Sequence, residues 1–219
     1  NDKPVVISTN TINLQEQIIK KDLVLLKKVL DFSFKAVLVK GRSNYLCKRR
    51  LNNFKNRADD TFSGEDSGKN LNIEKLLNWI EESRNGSRSD FNFNIDKEIW
   101  AEICSESDLC LKSNCPYFNS CFFINARKEI HSADLLVVNH HLLISDANLK
   151  KENRTLLPEY EHLIIDEAHN FNNAATYQLG NPFNYYFLFK FINRLSNSKY
   201  SLIKHLRNFL SGLDVKNKS

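Results

Sequence analysis

Methionine is missing from all 219 residues, and glycine and proline together number only 10. So little of both excludes a collagen-like or low-complexity chain, and 42% hydrophobic residues exclude a largely disordered one. Long apolar runs are missing too. A bilayer span needs roughly 18 residues, whereas the longest runs here, Leu135 to Val138 and Leu163 to Ile165, are strand-sized. No signal peptide opens the chain, and Asn1-Asp2-Lys3-Pro4 carries no initiator. The expectation is a piece from the middle of a longer protein. The net charge of +5 is mild, but its distribution is uneven. Between Lys40 and Arg57 stand seven basic residues and no acid. Such a stripe either tracks phosphates or forms a solvated helix face, and charge alone does not separate the two.

The five cysteines are too few for a disulfide scaffold of this length, and their number is odd. Cys104, Cys110, Cys115 and Cys121 crowd together while Cys47 stands apart. That pattern reads as a reducing compartment, such as the cytoplasm, and a metal site. The spacing Cys110-x4-Cys115-x5-Cys121 is wider than the two-residue knuckles that close on a tetrahedral zinc ion. It suits an iron–sulfur cluster, where each thiolate takes its own corner, with zinc as the alternative. The fourth thiolate comes from Cys104 or Cys47, and spacing does not choose.

Three unbroken apolar runs lead into helical patterns: Pro4 to Thr9, Ala133 to Asn139 and His162 to Glu167. Ala36 to Gly41 is a fourth. Runs of this kind predict an α/β fold with a parallel sheet covered on both faces and ligands bound at the carboxyl ends of its strands. Between Arg42 and Ser132 the pattern turns helical, with amphipathic segments at 71–82 and 95–103 and a polar loop at 56–70. This is read as an inserted domain, and the aromatic, helical tail from Asn172 as the beginning of another. Gly64 to Asn70 imitates a phosphate loop but is one residue short, places Asn70 where Ser or Thr binds Mg²⁺, and follows no strand. The ATP-binding lysine is therefore expected upstream of Asn1.

The strand ending in Asp166-Glu167-Ala168-His169 presents two carboxylates and an imidazole. NTP hydrolysis needs one carboxylate for Mg²⁺ and another to position the attacking water. Ser8-Thr9-Asn10-Thr11, at a strand end and helix start, offers hydroxyls and free N–H groups to a phosphate, or simply caps the helix.

Taken in order, these segments resemble the iron–sulfur superfamily 2 DNA helicases of the XPD/DinG type. Val5 to Gln17 is similar to motif Ia, Lys40 to Cys47 to the segment carrying the first cluster ligand, and Cys110 to Arg127 to the segment carrying the other three. Ala133 to Leu143 and Asp166 to His169 follow in family order. The resemblance implies a partial RecA-like motor domain at 1–40 and 133–171, an iron–sulfur domain at 41–132, and the start of a helical arch at 172–219. It also implies a monomeric, ATP-dependent 5′ to 3′ DNA helicase acting on single strands and single-strand/duplex junctions, away from membranes. Asp166 would bind Mg²⁺, Glu167 would activate water, and His169 would link nucleotide state to strand movement. Cys47, Cys110, Cys115 and Cys121 would hold a 4Fe–4S cluster, with Cys104 spare. Ser8, Thr9, Thr11, Arg42, Lys48, Arg49 and Arg50 would face the DNA backbone, and Tyr45 would stack on a base or pack beside the cluster. The alternative is a non-enzymatic, metal-stabilised module that binds single strands.

Overall fold

The computed structural model describes residues 3–59, 75–80, 83–91 and 93–180, and positions 188, 192, 203 and 206. Four parallel strands organise it: β1 (Val5–Thr9), β2 (Ala36–Leu38), β3 (Leu135–Asn139) and β4 (His162–Ile165), in the order β2-β3-β1-β4. The β-branched run Val5-Val6-Ile7 suits a pleated strand with neighbours on both sides. Val5 lies opposite both Leu135 and His162, and Ser8 opposite Val138 and Ile165. Parallel pairing requires crossovers. The first is α1 (Ile12–Gln17), a π-turn (Ile18–Asp22) and α2 (Leu23–Val29). The last is α7 (His140–Lys150), which returns the chain to β4.

Side-chain caps set where these helices begin. Thr11 Oγ1 accepts from the Leu14 N–H at 3.3 Å, and Asn139 Oδ1 from the Leu142 N–H at 2.8 Å. Beneath the sheet lies an aliphatic core of Val6, Val37, Leu136, Val138, Leu142 and Leu143. Two buried polar groups are built into this layer. Gln15 Nε2 donates to the carbonyls of Val39 and Val137 at 3.3 and 3.2 Å. Asp146 Oδ1 accepts from the Leu156 and Leu157 N–H groups at 2.6 and 2.9 Å and pairs through Oδ2 with Lys150. That carboxylate pins the segment before β4 onto α7.

The α/β architecture agrees with the sequence pattern, but one strand departs from it. All four residues of β4 are exposed, Ile164 to 53%. An apolar run specifies a strand, whereas its cover must come from other parts of a fold.

Between β2 and β3 the chain is helical: α3 (Lys48–Asp59), α4 (75–80), α5 (Lys97–Ile103) and α6 (Phe122–Ile130). Helix α3 runs through Asp59, so residues 56–59 of the loop expected at 56–70 are helical, and the rest of that stretch lies outside the described residues. Of the helix expected at 71–82, residues 75–80 are helical and Leu76 is fully buried. The phosphate-loop lookalike at 64–70 lies outside the described residues. A second core unites Tyr45, Leu46, Trp100, Ile103, Phe122 and Phe123. Two isolated antiparallel bridges, Tyr45 with Ser87 and Leu46 with Cys104, tie its entry.

Residues Asn1–Gln178 form one compact unit and Leu179–Ser219 another. Helix α8 (Phe171–Leu179) joins the first through buried Ala174 and through Gln178, whose amide donates to Ser145 Oγ at 2.8 Å. In the second, positions 188, 192, 203 and 206 are helical.

Candidate functional site

The carboxyl ends of β1, β3 and β4 lie side by side, because Thr9 pairs with Asn139 and Ser8 with Ile165. Asp166 continues the β1–β4 ladder, its N–H donating to the Ser8 carbonyl at 2.8 Å. Thr9 Oγ1 then donates to Asp166 Oδ2 at 3.1 Å, which leaves the other carboxylate oxygen for a cation. At Glu167 the backbone turns left-handed, with φ 53° and ψ 41°. This conformation is costly for a residue with a Cβ and occurs where surrounding contacts over-determine it. The turn brings Glu167 Oε2 to 3.2 Å from His169 Nε2, which also lies 2.9 Å from Asn170 Nδ2. Protonated, the ring pairs with the carboxylate; neutral, it accepts from the Asn170 amide. Both Glu167 and His169 are exposed.

Behind this turn sits a residue the motif reading passed over. His140 is fully buried at the start of α7, with Nδ1 2.8 Å from Ser8 Oγ. Burial pushes its pKa down, opposed by the nearby carbonyls of Glu167 and Asp166. The sequence signal available was a pair of histidines directly after a buried strand, where a helix needs only its Asn139 cap.

The four expected cluster ligands come together. Cys47, Cys110, Cys115 and Cys121 line one cavity, beside Arg49, Arg50 and Lys112. Cys104 stands apart in the aromatic core, its thiol pKa raised by burial. All five thiols are free. The Lys112 N–H points at Cys110 Sγ at 3.4 Å, from a turn in which Lys112 takes φ 50°. Among the described residues, no three His, Cys, Asp or Glu side chains converge on a single ion. The four cysteines thus share one cavity with Arg49, Arg50, Glu106 and Lys112.

The basic stripe divides. Tyr45 is buried, its ring edge-on to Phe123 at 5.9 Å. Arg50 is buried as well, donating to the carbonyls of Cys104 and Ala101 at 2.6 and 2.8 Å and pairing with Glu106 at 3.0 Å. Ser8 and Thr9 are equally enclosed, their hydroxyls engaged with His140 and Asp166. Ser8, Thr9 and Arg50 were expected on a DNA-facing surface, and Tyr45 either there or packed beside the cysteines; the structure buries all four, because each has a partner that only the fold supplies. Arg42, Lys48 and Arg49 remain partly accessible and Thr11 exposed. Arg42 lies over Phe123 at 3.8 Å, Lys48 over Phe122 at 4.7 Å, and Arg49 donates to the Leu109 carbonyl.

Lys40, the first residue of the stripe, is a buried junction. Its Nζ reaches Glu16 at 3.1 Å and Ser87 at 3.0 Å, and also bonds Ser89. Burial opposes ionisation of Glu16, but hydrogen bonds from Lys20, Ser89 and Lys40 prevail and hold its pKa at about 2. Arg127, on α6, closes the same junction by donating to the Leu156 and Lys40 carbonyls at 3.2 and 3.5 Å.

The arrangement of strand ends, turn and cysteine cavity has counterparts. A family model described as DEAD_2 matches residues 8–181. The chain belongs to the DEAD_2 family. Its match includes the Asp166–His169 turn and every cysteine. The chain is 35% identical over 182 residues to the ATP-dependent DNA helicase YoaA of Escherichia coli, covering 81% of this chain and 28% of that protein. It is 31% identical over 207 residues to the 3′-5′ exonuclease DinG of Bacillus subtilis, covering 94% and 21%. With the ATP-dependent DNA helicase DinG of Photobacterium profundum it shares 32% over 183 residues, covering 80% and 26%. This DEAD_2 chain thus spans about a quarter of the length of the curated relatives it matches. Among its described residues, no helix is long and apolar enough to cross a membrane.

Proposed function

We propose that this DEAD_2 chain is part of an ATP-dependent DNA helicase that moves 5′ to 3′ along a single strand, with a cluster-bearing insert at the point where strands separate. The observation that carries the reading is the Asp166–Glu167–His169 turn, braced from β1 at the carboxyl edge of a parallel sheet. Ligands of such sheets bind at that edge. Asp166, with one oxygen held by Thr9, would hold Mg²⁺, whose charge offsets that on the transferring phosphoryl group. Glu167 is exposed and positioned to orient water and take its proton, and His169 senses the state of that carboxylate through Nε2. The relatives' names as ATP-dependent DNA helicases support ATP as substrate and DNA as partner.

Cys47, Cys110, Cys115 and Cys121 are the residues that would hold a 4Fe–4S cluster. Four cysteines on one cavity suit a cube with one iron per corner better than one tetrahedral ion. Arg49, Arg50 and Lys112 offset the negative charge of thiolate ligation. When bound, the cluster supplies cross-links between α3, the 110–121 loop and α6. Arg42, Lys48 and Arg49, together with Thr11, form the proposed path for a DNA backbone.

The decisive experiment measures DNA-stimulated ATP turnover by the full-length protein. Glu167→Gln is expected to lower kcat by about 1000-fold while ATP still binds. Turnover that survives this change would overturn the catalytic reading and favour a non-enzymatic, strand-binding module.

A further inference from the structure

Arg127 stands in the last turn of α6, where a cation can bond the helix's own free carbonyls. It reaches away from the helix instead. Its Nη1 donates to the Leu156 carbonyl at 3.2 Å and its Nη2 to the Lys40 carbonyl at 3.5 Å, while the guanidinium lies over the buried Phe123 ring at 5.0 Å. Lys40 is where the chain passes from β2 into the insert, and α6 is where it returns toward β3. Leu156 belongs to neither crossing. It lies on the segment that leads into β4, the strand that ends at the turn bearing Asp166 and Glu167.

The peptide group joining Leu156 to Leu157 is held at both poles. Arg127 donates to its carbonyl, and Asp146 Oδ1 accepts from its N–H at 2.9 Å, as well as from the Leu156 N–H at 2.6 Å. Opposite charges at the two ends of one peptide dipole make charge-assisted hydrogen bonds, the stronger class. Asp146 is fully buried on α7, and Leu157 is enclosed in the aliphatic core. The lead-in to β4 is thus gripped by α6 from the insert and by α7 from the sheet layer. Helix α6 opens at Cys121, on the cysteine cavity, with Phe122 and Phe123 in the insert core. One helix therefore spans from that cavity to the lead-in.

We propose that Arg127 is a positioning residue that carries the state of the insert to the turn bearing Asp166 and Glu167: a shift of α6 moves the Leu156–Leu157 peptide and, through it, β4. The proposal deepens the motor reading above and rests on it for its kinetic consequence, whereas the mechanical link stands without ATP. A simple staple makes a different forecast. It adds stability at its own site, and disturbing α6 then has the same effect on the lead-in whether or not the guanidinium is present. Lysine separates charge from bridging, because it keeps the cation but lacks a planar fork to span two carbonyls.

The test is a mutant cycle in the full-length protein, read by hydrogen exchange of peptides covering 154–161. Gly86→Ala disturbs the start of α6 directly, since the added Cβ would be driven into the Phe122 ring. Phe122→Leu takes its place should that variant not fold. With Arg127 present, the disturbance is expected to speed exchange of the lead-in about tenfold. In Arg127→Met, whose lead-in already exchanges about tenfold faster, it should add less than about twofold, and Arg127→Lys should behave like Arg127→Met. Equal acceleration with and without Arg127, no acceleration in either, or parental behaviour of Arg127→Lys would overturn the proposal. In ATPase kinetics, Arg127→Met should keep basal kcat within about twofold and lose most of the increase brought by single-stranded DNA. Basal and stimulated turnover falling together would also overturn it. A parental protein that turns over no ATP would refute the motor reading instead, and the exchange cycle alone would then decide the proposal.

Discussion

The sheet and the insert solve the problem of burial in opposite ways. Under the sheet the core is aliphatic, built on Val6, Val37, Leu136 and Val138, and every strand backbone is paired along a ladder. Among the described residues of the insert the core is rich in aromatic rings and the strand pairing shrinks to two isolated bridges. Phe91 there meets Trp79, Phe93 and Trp100 at 4.0, 5.1 and 5.5 Å. A ladder fixes register residue by residue, whereas a cluster of rings fixes only volume and angle. The insert therefore depends more heavily on point constraints: a glycine, an ion pair at its base and, on the cluster reading proposed above, its four cysteines.

The largest effect should come from the thiols. Cys47→Ser is expected to lose iron from anaerobically prepared protein and to lower amide protection of the insert by roughly 100-fold, leaving the strands protected. Cys104→Ser should retain both. Hydrogen exchange with iron and sulfide analysis reads the two regions separately, and the reverse pattern would show Cys104 to be the ligand. Stoichiometric zinc without sulfide would remove the cluster altogether.

Next in size is Gly86. It takes φ +57°, and a Cβ there would be driven into the Phe122 ring. Gly86→Ala should cost about 3 kcal/mol, combining left-handed strain with overpacking. Both tryptophans, Trp79 and Trp100, belong to or pack against the aromatic core, so fluorescence reports on the insert alone. The Trp-detected urea transition should move while exchange of the β1 and β3 amides does not. Coincident shifts would show instead that the two cores unfold as one.

The smallest effect concerns the base of the insert. Glu16 ionises at about 2 in the folded chain against an ordinary 4.5. A depressed carboxyl pKa contributes stability that is complete above about pH 5 and is lost as pH falls through the range from 4.5 to 2. Acid titration should loosen the Lys40 junction in that window. Glu16→Gln should remove this part of the acid dependence and cost about 1 to 2 kcal/mol at neutral pH. An unchanged acid profile would mean that the salt link does not hold the insert to α1.

The sequence by itself determined the four strands, the helical insert between the second and third, and the turn carrying Asp166, Glu167 and His169. Each of these is written locally, in runs of neighbours whose periodicity or polarity changes at the element's end. It also supplied the cysteines but could not choose among them by spacing, because Cys104 is nearer in the chain while Cys47 is nearer in space. Tertiary structure places Cys47, and not Cys104, on the cavity that Cys110, Cys115 and Cys121 line. It also decided that Ser8, Thr9, Tyr45 and Arg50 face inward, that β4 stands exposed, and that His140 is buried against Ser8 and Phe171. The physical reason is common to all of these. Burial and hydrogen-bond partnership belong to pairs of distant residues, Ser8 and His140 being 132 positions apart, and no local pattern records which partner the fold will bring.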